Sequence, residues 1–163
     1  MGDLQIREDL GFQRSFWTVE RIGWVVVALI LIAALLGLFG TGLFSRTKAG
    51  DRGGPLWLEY NRFGRFLSPS TLRVYIGRGK TEKVARIWFD KNYMKGIQIQ
   101  QITPEPESVE SVSDRLVYTF KLAKPNDPTE VTFHLKLEQI GSLSGKLGLV
   151  NGPAIRFTQF IYP

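Results

Sequence analysis

The sequence contains no cysteine and a single histidine among its 163 residues. The absence of cysteine excludes disulfide bonds, zinc–thiolate sites and thiol nucleophiles. His134 stands between Phe133 and Leu135 in an alternating apolar pattern, which places it on the outward face of a strand. One imidazole, with no thiolate and no second histidine, does not build a usual transition-metal site. We therefore expect neither a metal nor a cofactor.

The chain also lacks complete catalytic motifs. Residues 79–81 (GKT) resemble the end of a phosphate-binding loop, but Val74 occupies the position of the required glycine. Residues 141–145 have the spacing of a nucleophile elbow, with Leu143 in place of the serine. The acidic, serine-rich segment 105–114 matches no calcium-binding loop. We predict two turns and a solvated loop at these places, in a protein that is not an enzyme.

The excess of positive charge is modest. The whole chain carries a net charge of +6, and from residue 55 onward it has 15 Lys and Arg against 10 Asp and Glu. Such a charge suits anionic lipid headgroups, anionic polymers or an acidic protein surface. It falls far short of the dense basic surface of a nucleic-acid-binding protein. The expected partners are therefore membrane lipid, another protein or an anionic ligand, and not nucleic acid.

The sequence does contain one long uncharged run, residues 22–45, which is flanked by Arg21 and Arg46. About 20 apolar residues in a helix span the roughly 30 Å hydrocarbon core of a bilayer. A helix is the conformation in which one segment satisfies its own backbone hydrogen bonds there. The sequence therefore predicts a transmembrane helix at 22–44, after an N-terminal segment at 1–21.

The orientation of this span does not follow from charge. Three arginines precede the span and three basic residues follow it closely, so the positive-inside rule gives a tie. The layout of a short leader followed by a β domain is typical of a signal anchor with a cytoplasmic N-terminus. A cleaved signal peptide is the alternative, but the apolar region is longer than such peptides usually have.

Two sets of side chains in this region are candidates for contacts within the membrane. Small residues at four-residue spacing allow a partner helix to approach closely; these are Ala33, Gly37 and Thr41, with Gly40 beside them. Aromatic residues mark the membrane boundary; these are Phe12, Phe16, Trp17 and Trp24. We predict a helix-packing surface for the first set. The second set either lies in the headgroup layer or docks on a larger membrane protein.

From residue 56 the apolar pattern changes to a period of two, which indicates strands. The polar, glycine-rich segment 45–55 before it predicts a flexible linker. Eight strands are predicted: Leu56–Asn61, Thr71–Ile76, Val84–Asp90, Ile97–Thr103, Arg115–Leu122, Glu130–Leu137, Leu147–Val150 and Ala154–Tyr162. Many short strands with turn residues between them favour an antiparallel, immunoglobulin-like β sandwich at 56–163. A small β barrel is the alternative.

Two surfaces of this domain are candidates for binding. On two strands that we expect to be neighbours, basic and aromatic residues alternate with core positions. This pattern predicts one basic, aromatic surface made of Arg73, Tyr75, Arg86 and Trp88. The last strand has apolar residues on both faces. Its outer face, with Phe160 and Tyr162, is predicted to contact another copy, a partner or the start of the domain.

Residues 12–24 (FQRSFWTVERIGW) resemble the start of uncharacterised single-span bacterial membrane proteins. The resemblance implies the bacterial inner membrane and no particular activity. With the layout above, it predicts a periplasmic or extracellular β domain on a membrane anchor. The leading hypothesis is an assembly or accessory subunit, either a homo-oligomer or part of a larger membrane complex. The alternative is an anchored module that binds an envelope ligand such as a glycan, a lipid headgroup or an anion.

Overall fold

The computed structural model describes residues 10–35, 45–77, 84–122 and 128–163. The first described element is helix α1, Leu10–Leu35, which joins the end of the predicted leader to the first part of the predicted span. Every described side chain from Trp17 to Ile32 is exposed. Among the described residues, no helix is long and apolar enough to cross a membrane. Because residues 36–44 lie outside the described residues, the span predicted at 22–44 stays a prediction.

The rest of the described chain is a β domain with one short helix. Its elements are β1 (Arg46–Gly50), β2 (Leu56–Asn61), β3 (Phe63–Arg65), β4 (Pro69–Ile76), β5 (Val84–Asp90), α2 (Lys91–Lys95), β6 (Ile97–Thr103), β7 (Ser108–Val112), β8 (Arg115–Lys121), β9 (Thr129–Leu137), β10 (Gly141–Leu149) and β11 (Ala154–Tyr162).

These strands form two separate sheets. One has five strands in the order β1-β2-β4-β9-β6, and the other has six in the order β3-β11-β10-β5-β8-β7. The pairings are antiparallel except for that of β3 with β11, which is parallel. Two sheets packed face to face bury the alternate apolar residues of both. The predicted all-β sandwich of two sheets is therefore confirmed, and the alternative of a small β barrel is not.

Aromatic rings occupy the centre of the core between the sheets. Phe133 on β9 is buried, and its ring centroid lies 5.0 Å from that of Phe89, 5.6 Å from that of Tyr118 and 6.2 Å from that of Phe120. These three neighbours belong to β5 and β8 of the other sheet, so the cluster joins the two sheets. His134, the next residue, is exposed as predicted.

Helix α2 seals one end of this core, and the sequence pattern did not predict it. It begins after Asp90, whose side-chain carboxylate accepts a 2.8 Å hydrogen bond from the backbone N–H of Asn92. Tyr93 in α2 is fully buried, and its hydroxyl donates to Oε1 of Gln159 at 2.9 Å. Nε2 of Gln159 in turn donates to the carbonyl oxygen of Asn61 at 2.8 Å. This chain of hydrogen bonds connects α2 with both sheets.

The linker predicted at 45–55 is wrong in its first half. Arg46–Gly50 forms the edge strand β1, which pairs with β2 along its whole length. Ser45 before it is buried, and its hydroxyl donates to the carbonyl oxygen of Phe63 at 3.0 Å. An edge strand with one solvated side needs few apolar side chains, because its backbone bonds hold it in place.

Two further segments predicted as a loop and a turn are strands. Within the acidic segment 105–114, Ser108–Val112 forms the edge strand β7. The stretch 141–145 is the first half of β10, with Leu143 buried between exposed serines. Its Gly145 has no room for a side chain, since a Cβ there would lie 2.8 Å from the ring of Tyr93. The turn predicted at 79–81 lies outside the described residues.

Candidate functional site

Trp88 lies on the outer face of the six-stranded sheet and yet is only 5% exposed. Its indole N–H donates to the carbonyl oxygen of Leu149 at 3.2 Å. The ring lies close to Gly148, its register partner on β10. A Cβ at Gly148 would stand 2.8 Å from two atoms of the ring. The glycine therefore allows the indole to pack against the neighbouring strand.

Two cations lie over this ring. The guanidinium carbon of Arg115 is 4.0 Å from the ring centroid, and Nζ of Lys146 is 5.8 Å from it. Both distances are within the range of cation–π attraction, which is worth about 0.5–2 kcal/mol depending on exposure. Because the ring is buried, it offers no free face on which a sugar could stack. Its role is to hold the two cations in place.

The three residues line a depression of about 760 Å³ on the outer face of the sheet, which we call the Trp88 pocket. A volume of this size is within the range of small-ligand sites. Its other lining side chains include one more cation, one acid and four apolar residues: Arg86, Glu110, Val112, Val117, Leu149 and Ala154. The pocket is therefore predominantly cationic, with an apolar lining.

The outer face of the five-stranded sheet also has a depression, of about 570 Å³, and two of its three cations, Lys48 and Arg73, pair with acids. Nζ of Lys48 lies 2.8 Å from Oε1 of Glu59, and Nε of Arg73 lies 3.6 Å from Oε1 of Glu130. Each of these cations already has an anionic neighbour. This face therefore has less free positive charge to offer an anion.

The cations of the six-stranded sheet are arranged differently. Among the residues that the structure describes, none of Arg86, Arg115, Lys146 and Arg156 forms a salt bridge. Glu110, the acid of the Trp88 pocket, is exposed on the edge strand. Within the part of the chain that the structure describes, Glu110 offsets only part of the positive charge around Trp88.

The ring of Tyr75 stacks on that of Trp57. Its centroid lies 3.7 Å from that of Trp57, and the two planes are 6° apart. Burial raises the pKa of Tyr75, and the carboxylates of Glu130 and Glu59 raise it further. The hydroxyl is therefore neutral at physiological pH.

The structure separates the residues of the predicted basic, aromatic surface. Arg73 and Tyr75 lie on β4 in the five-stranded sheet, and Arg86 and Trp88 lie on β5 in the six-stranded sheet. The prediction of one surface is wrong because the chain changes sheet between these consecutive strands. The prediction also missed Arg115 and Lys146, which lie on β8 and β10. The alternation of the predicted strand Arg115–Leu122 placed Arg115 outward, whereas Lys146 preceded the predicted strand Leu147–Val150. Neither pattern indicated that these strands flank β5.

The aromatic residues of the predicted leader lie within α1: Phe12, Phe16, Trp17 and Trp24. Trp17 and Trp24 are exposed, and the guanidinium of Arg21 lies 3.9 Å from the centroid of the Trp17 ring. Of the predicted helix-packing residues, Ala33 lies in α1, and three lie outside the described residues: Gly37, Gly40 and Thr41. The roles of both sets stay predictions.

The last strand has the two faces that were predicted. Its inward residues are buried: Ile155, Phe157, Gln159 and Ile161. On the outer face Phe160 is 51% exposed, while Tyr162 is half-buried. Phe160 is the register partner of Phe63 on β3. With Arg62 and Arg156 these two rings line a third depression, of about 470 Å³, which we call the Phe160 pocket.

No protein-family model and no curated protein matches this chain. A solved structure to which it is similar is the cohesin module from the Clostridium perfringens ATCC13124 family 33 glycoside hydrolase. The TM-score is 0.48 and the sequence identity 14%, over 71% of this chain and 98% of that module. The similarity concerns the fold alone.

Proposed function

We propose that this chain is a non-enzymatic, single-pass membrane protein whose β sandwich binds an anionic ligand in the Trp88 pocket. The observation that carries the proposal is the concentration of unpaired cations there. Arg115 and Lys146 lie over one indole ring and form no salt bridge with any described residue, whereas the acids Glu59 and Glu130 on the other sheet each pair with a cation. Cations held together repel each other, and a bound anion would relieve that repulsion.

The chemistry of the pocket favours an oxyanion over a neutral glycan. A guanidinium binds phosphate or carboxylate through two parallel hydrogen bonds, and Arg115 is exposed enough to make them. Trp88 is buried, so it is unsuited to stacking on a sugar. Val117 and Ala154 provide apolar contacts for a carbon group that accompanies the anion.

The exposure of α1 supports the proposal of a membrane anchor. The side chains from Trp24 to Ile32 are exposed, and all of them are apolar. A bilayer would remove this surface from water, at a gain of about 25 cal/mol per Å² of apolar area. Together with the sequence resemblance, this favours the bacterial inner membrane, and the signal-anchor layout gives a cytoplasmic N-terminus and a periplasmic β domain.

A second candidate function is assembly, as a homo-oligomer or as an accessory subunit of a larger membrane complex. The observation that favours it is Phe160, which is 51% exposed on the outer face of the sheet. Native mass measurement of the detergent-purified protein, with identification of co-purifying proteins, tests this role. A monomer without partners would contradict it.

Ligand binding is tested by titrating the full-length protein, purified in mild detergent, with inorganic phosphate, tripolyphosphate and a neutral oligosaccharide. We expect the anions to bind and the neutral sugar not to bind. Arg115→Gln should weaken anion binding by about tenfold, as expected for a charge-assisted hydrogen bond. Lys121→Gln is the matched control, because Lys121 is an exposed cation on the same strand that does not line the pocket. Equal losses in the two variants, or no binding of any anion, would contradict the proposal.

The orientation is tested by cysteine labelling in intact cells, since the chain has no cysteine of its own. Asn126→Cys should react with a membrane-impermeant maleimide, and Gly2→Cys should be shielded from it. The reverse pattern would overturn the proposed orientation.

A further inference from the structure

A row of charged residues crosses the outer face of the six-stranded sheet. Arg115 on β8 is opposite Asp90 on β5, and Lys146 on β10 is opposite Arg156 on β11. Trp88 and Gly148 are paired between β5 and β10, which brings Asp90 level with Lys146. Because adjacent strands are 4.7–4.9 Å apart, the row from β8 to β11 covers about 14 Å.

The net charge of this row is positive. Three of its four members are cations, and none of them forms a salt bridge within the described residues. Asp90, the one acid, accepts a 2.8 Å hydrogen bond from the backbone of Asn92 at the start of α2. Glu110 lies at the outer edge of the Trp88 pocket, on β7.

The row leads from the Trp88 pocket to the Phe160 pocket. Lys146 lines the Trp88 pocket and Arg156 lines the Phe160 pocket, and the two residues are register partners on adjacent strands. Arg62 adds a further cation on the far side of the Phe160 pocket. Both pockets contain apolar side chains beside their cations. The Phe160 pocket also includes the core residues Tyr60 and Phe157, so it lies beside β11 and reaches towards the space between the sheets.

We propose that the anion bound here is a linear chain of phosphate groups, which lies across the strands from the Trp88 pocket to the Phe160 pocket. The proposal rests on the proposed function and goes further, because a single small anion would fill only one of the two pockets. Chain phosphates at successive positions would contact Arg115, Lys146 and Arg156 in turn. A flat membrane surface suits the site less well, since Lys146 is half-buried and Trp88 is 5% exposed.

The test compares chain lengths and variants, with the full-length protein in mild detergent. The probes are inorganic phosphate, tripolyphosphate, long-chain polyphosphate and synthetic poly(glycerol phosphate) of matched length. We expect affinity to rise with chain length. Arg156→Gln should weaken binding of the long chains about three- to fivefold, as expected for an exposed ion pair. It should leave the affinity for tripolyphosphate unchanged. Arg115→Gln should weaken both, and Lys121→Gln should weaken neither. Unchanged circular dichroism confirms that each variant is folded.

The outcomes separate this inference from the proposed function. If tripolyphosphate binds as tightly as the long chains and Arg156→Gln has no effect, the linear ligand is refuted and the anion pocket stands. If Arg156→Gln and Lys121→Gln weaken binding of the long chains equally, the binding reflects only the overall positive charge of the domain. The row is then refuted as the binding site. If anionic phospholipid vesicles bind in an Arg156-dependent way and soluble polyphosphate does not, the ligand is a membrane surface instead. Preference between polyphosphate and poly(glycerol phosphate) identifies the type of phosphate chain.

Discussion

Substitution of Tyr93 by phenylalanine tests the buried hydrogen bonds that connect α2 with both sheets. The variant keeps the ring, whose centroid lies 4.9 Å from that of Phe157 and 6.4 Å from that of Phe89. It removes the hydroxyl that donates to Oε1 of Gln159 at 2.9 Å. Gln159 is 1% exposed, so its oxygen would remain in the core without a donor.

The expected loss of stability follows from that unpaired oxygen. A buried polar atom left without a partner costs about 1–3 kcal/mol, which exceeds the net value of an average hydrogen bond. We therefore expect Tyr93→Phe to lower the free energy of unfolding by about 2 kcal/mol at pH 7. Denaturant unfolding of the full-length protein in mild detergent, followed by near-ultraviolet circular dichroism, measures the loss.

The same variant has a characteristic pH dependence. Burial raises the pKa of Tyr93 above the ordinary value of 10.0. Above pH 10 the unfolded chain loses this phenolic proton and the folded protein retains it. The stabilising contribution is therefore complete below pH 10 and is lost as the pH rises beyond it, by about 1.4 kcal/mol per pH unit. Burial also raises the pKa of Tyr118, which steepens the alkaline loss in wild type and variant alike.

The stabilities of wild type and Tyr93→Phe should accordingly converge above pH 10. Curves that stay parallel to pH 11, or a loss below about 0.5 kcal/mol at pH 7, would refute the buried hydrogen bond. A double variant, Tyr93→Phe with Gln159→Leu, provides the control. It removes both partners of the bond between the Tyr93 hydroxyl and Oε1 of Gln159. Its loss should be smaller than the sum of the two single losses.

Three further predictions concern the core, the Trp88 pocket and the predicted span. Phe133→Ala should lower the free energy of unfolding by about 3–5 kcal/mol and His134→Ala by about 0.5 or less; equal losses in denaturant unfolding would contradict the register of β9. Gly148→Ala places a Cβ 2.8 Å from the Trp88 ring, so we expect a loss of about 1–3 kcal/mol and altered tryptophan fluorescence; an unchanged spectrum would show that the ring does not pack there. Gly37→Leu should preserve membrane insertion and reduce the oligomer mass or partner recovery in native mass measurement, and unchanged assembly would remove the helix-packing role.

Much of the fold was predictable from alternation. Four strands have the bounds that the sequence predicted: Leu56–Asn61, Val84–Asp90, Ile97–Thr103 and Ala154–Tyr162. Each has buried or half-buried apolar residues at alternate positions, so the period of two is visible in the sequence. The edge strands β1 and β7 were not predictable in this way. All side chains of Ser108–Val112 are exposed, and no core contact imposes a pattern on them.

The candidate site was predictable only in part, because it depends on which strands are neighbours. Alternation predicted that the side chains of Arg86 and Trp88 point outward, and the structure confirms this direction for both. It gave no information that β10 and β8 flank β5. Gly148 is equally uninformative in the sequence, where it stands inside the predicted strand Leu147–Val150. In the fold it is the position that gives the Trp88 ring room, since a Cβ there would collide with the ring.

The pairing of β3 with β11 has a consequence for how the domain forms. Phe63 pairs with Phe160, and the nearby hydrogen bond from Gln159 to Asn61 joins residues 98 positions apart. Such contacts close long loops, and domains rich in them fold in milliseconds to seconds rather than microseconds. During synthesis at about 5–20 residues per second, β3 would wait several seconds for its partner. Both pockets include residues of β11, so the proposed ligand would distinguish the finished domain from its nascent form.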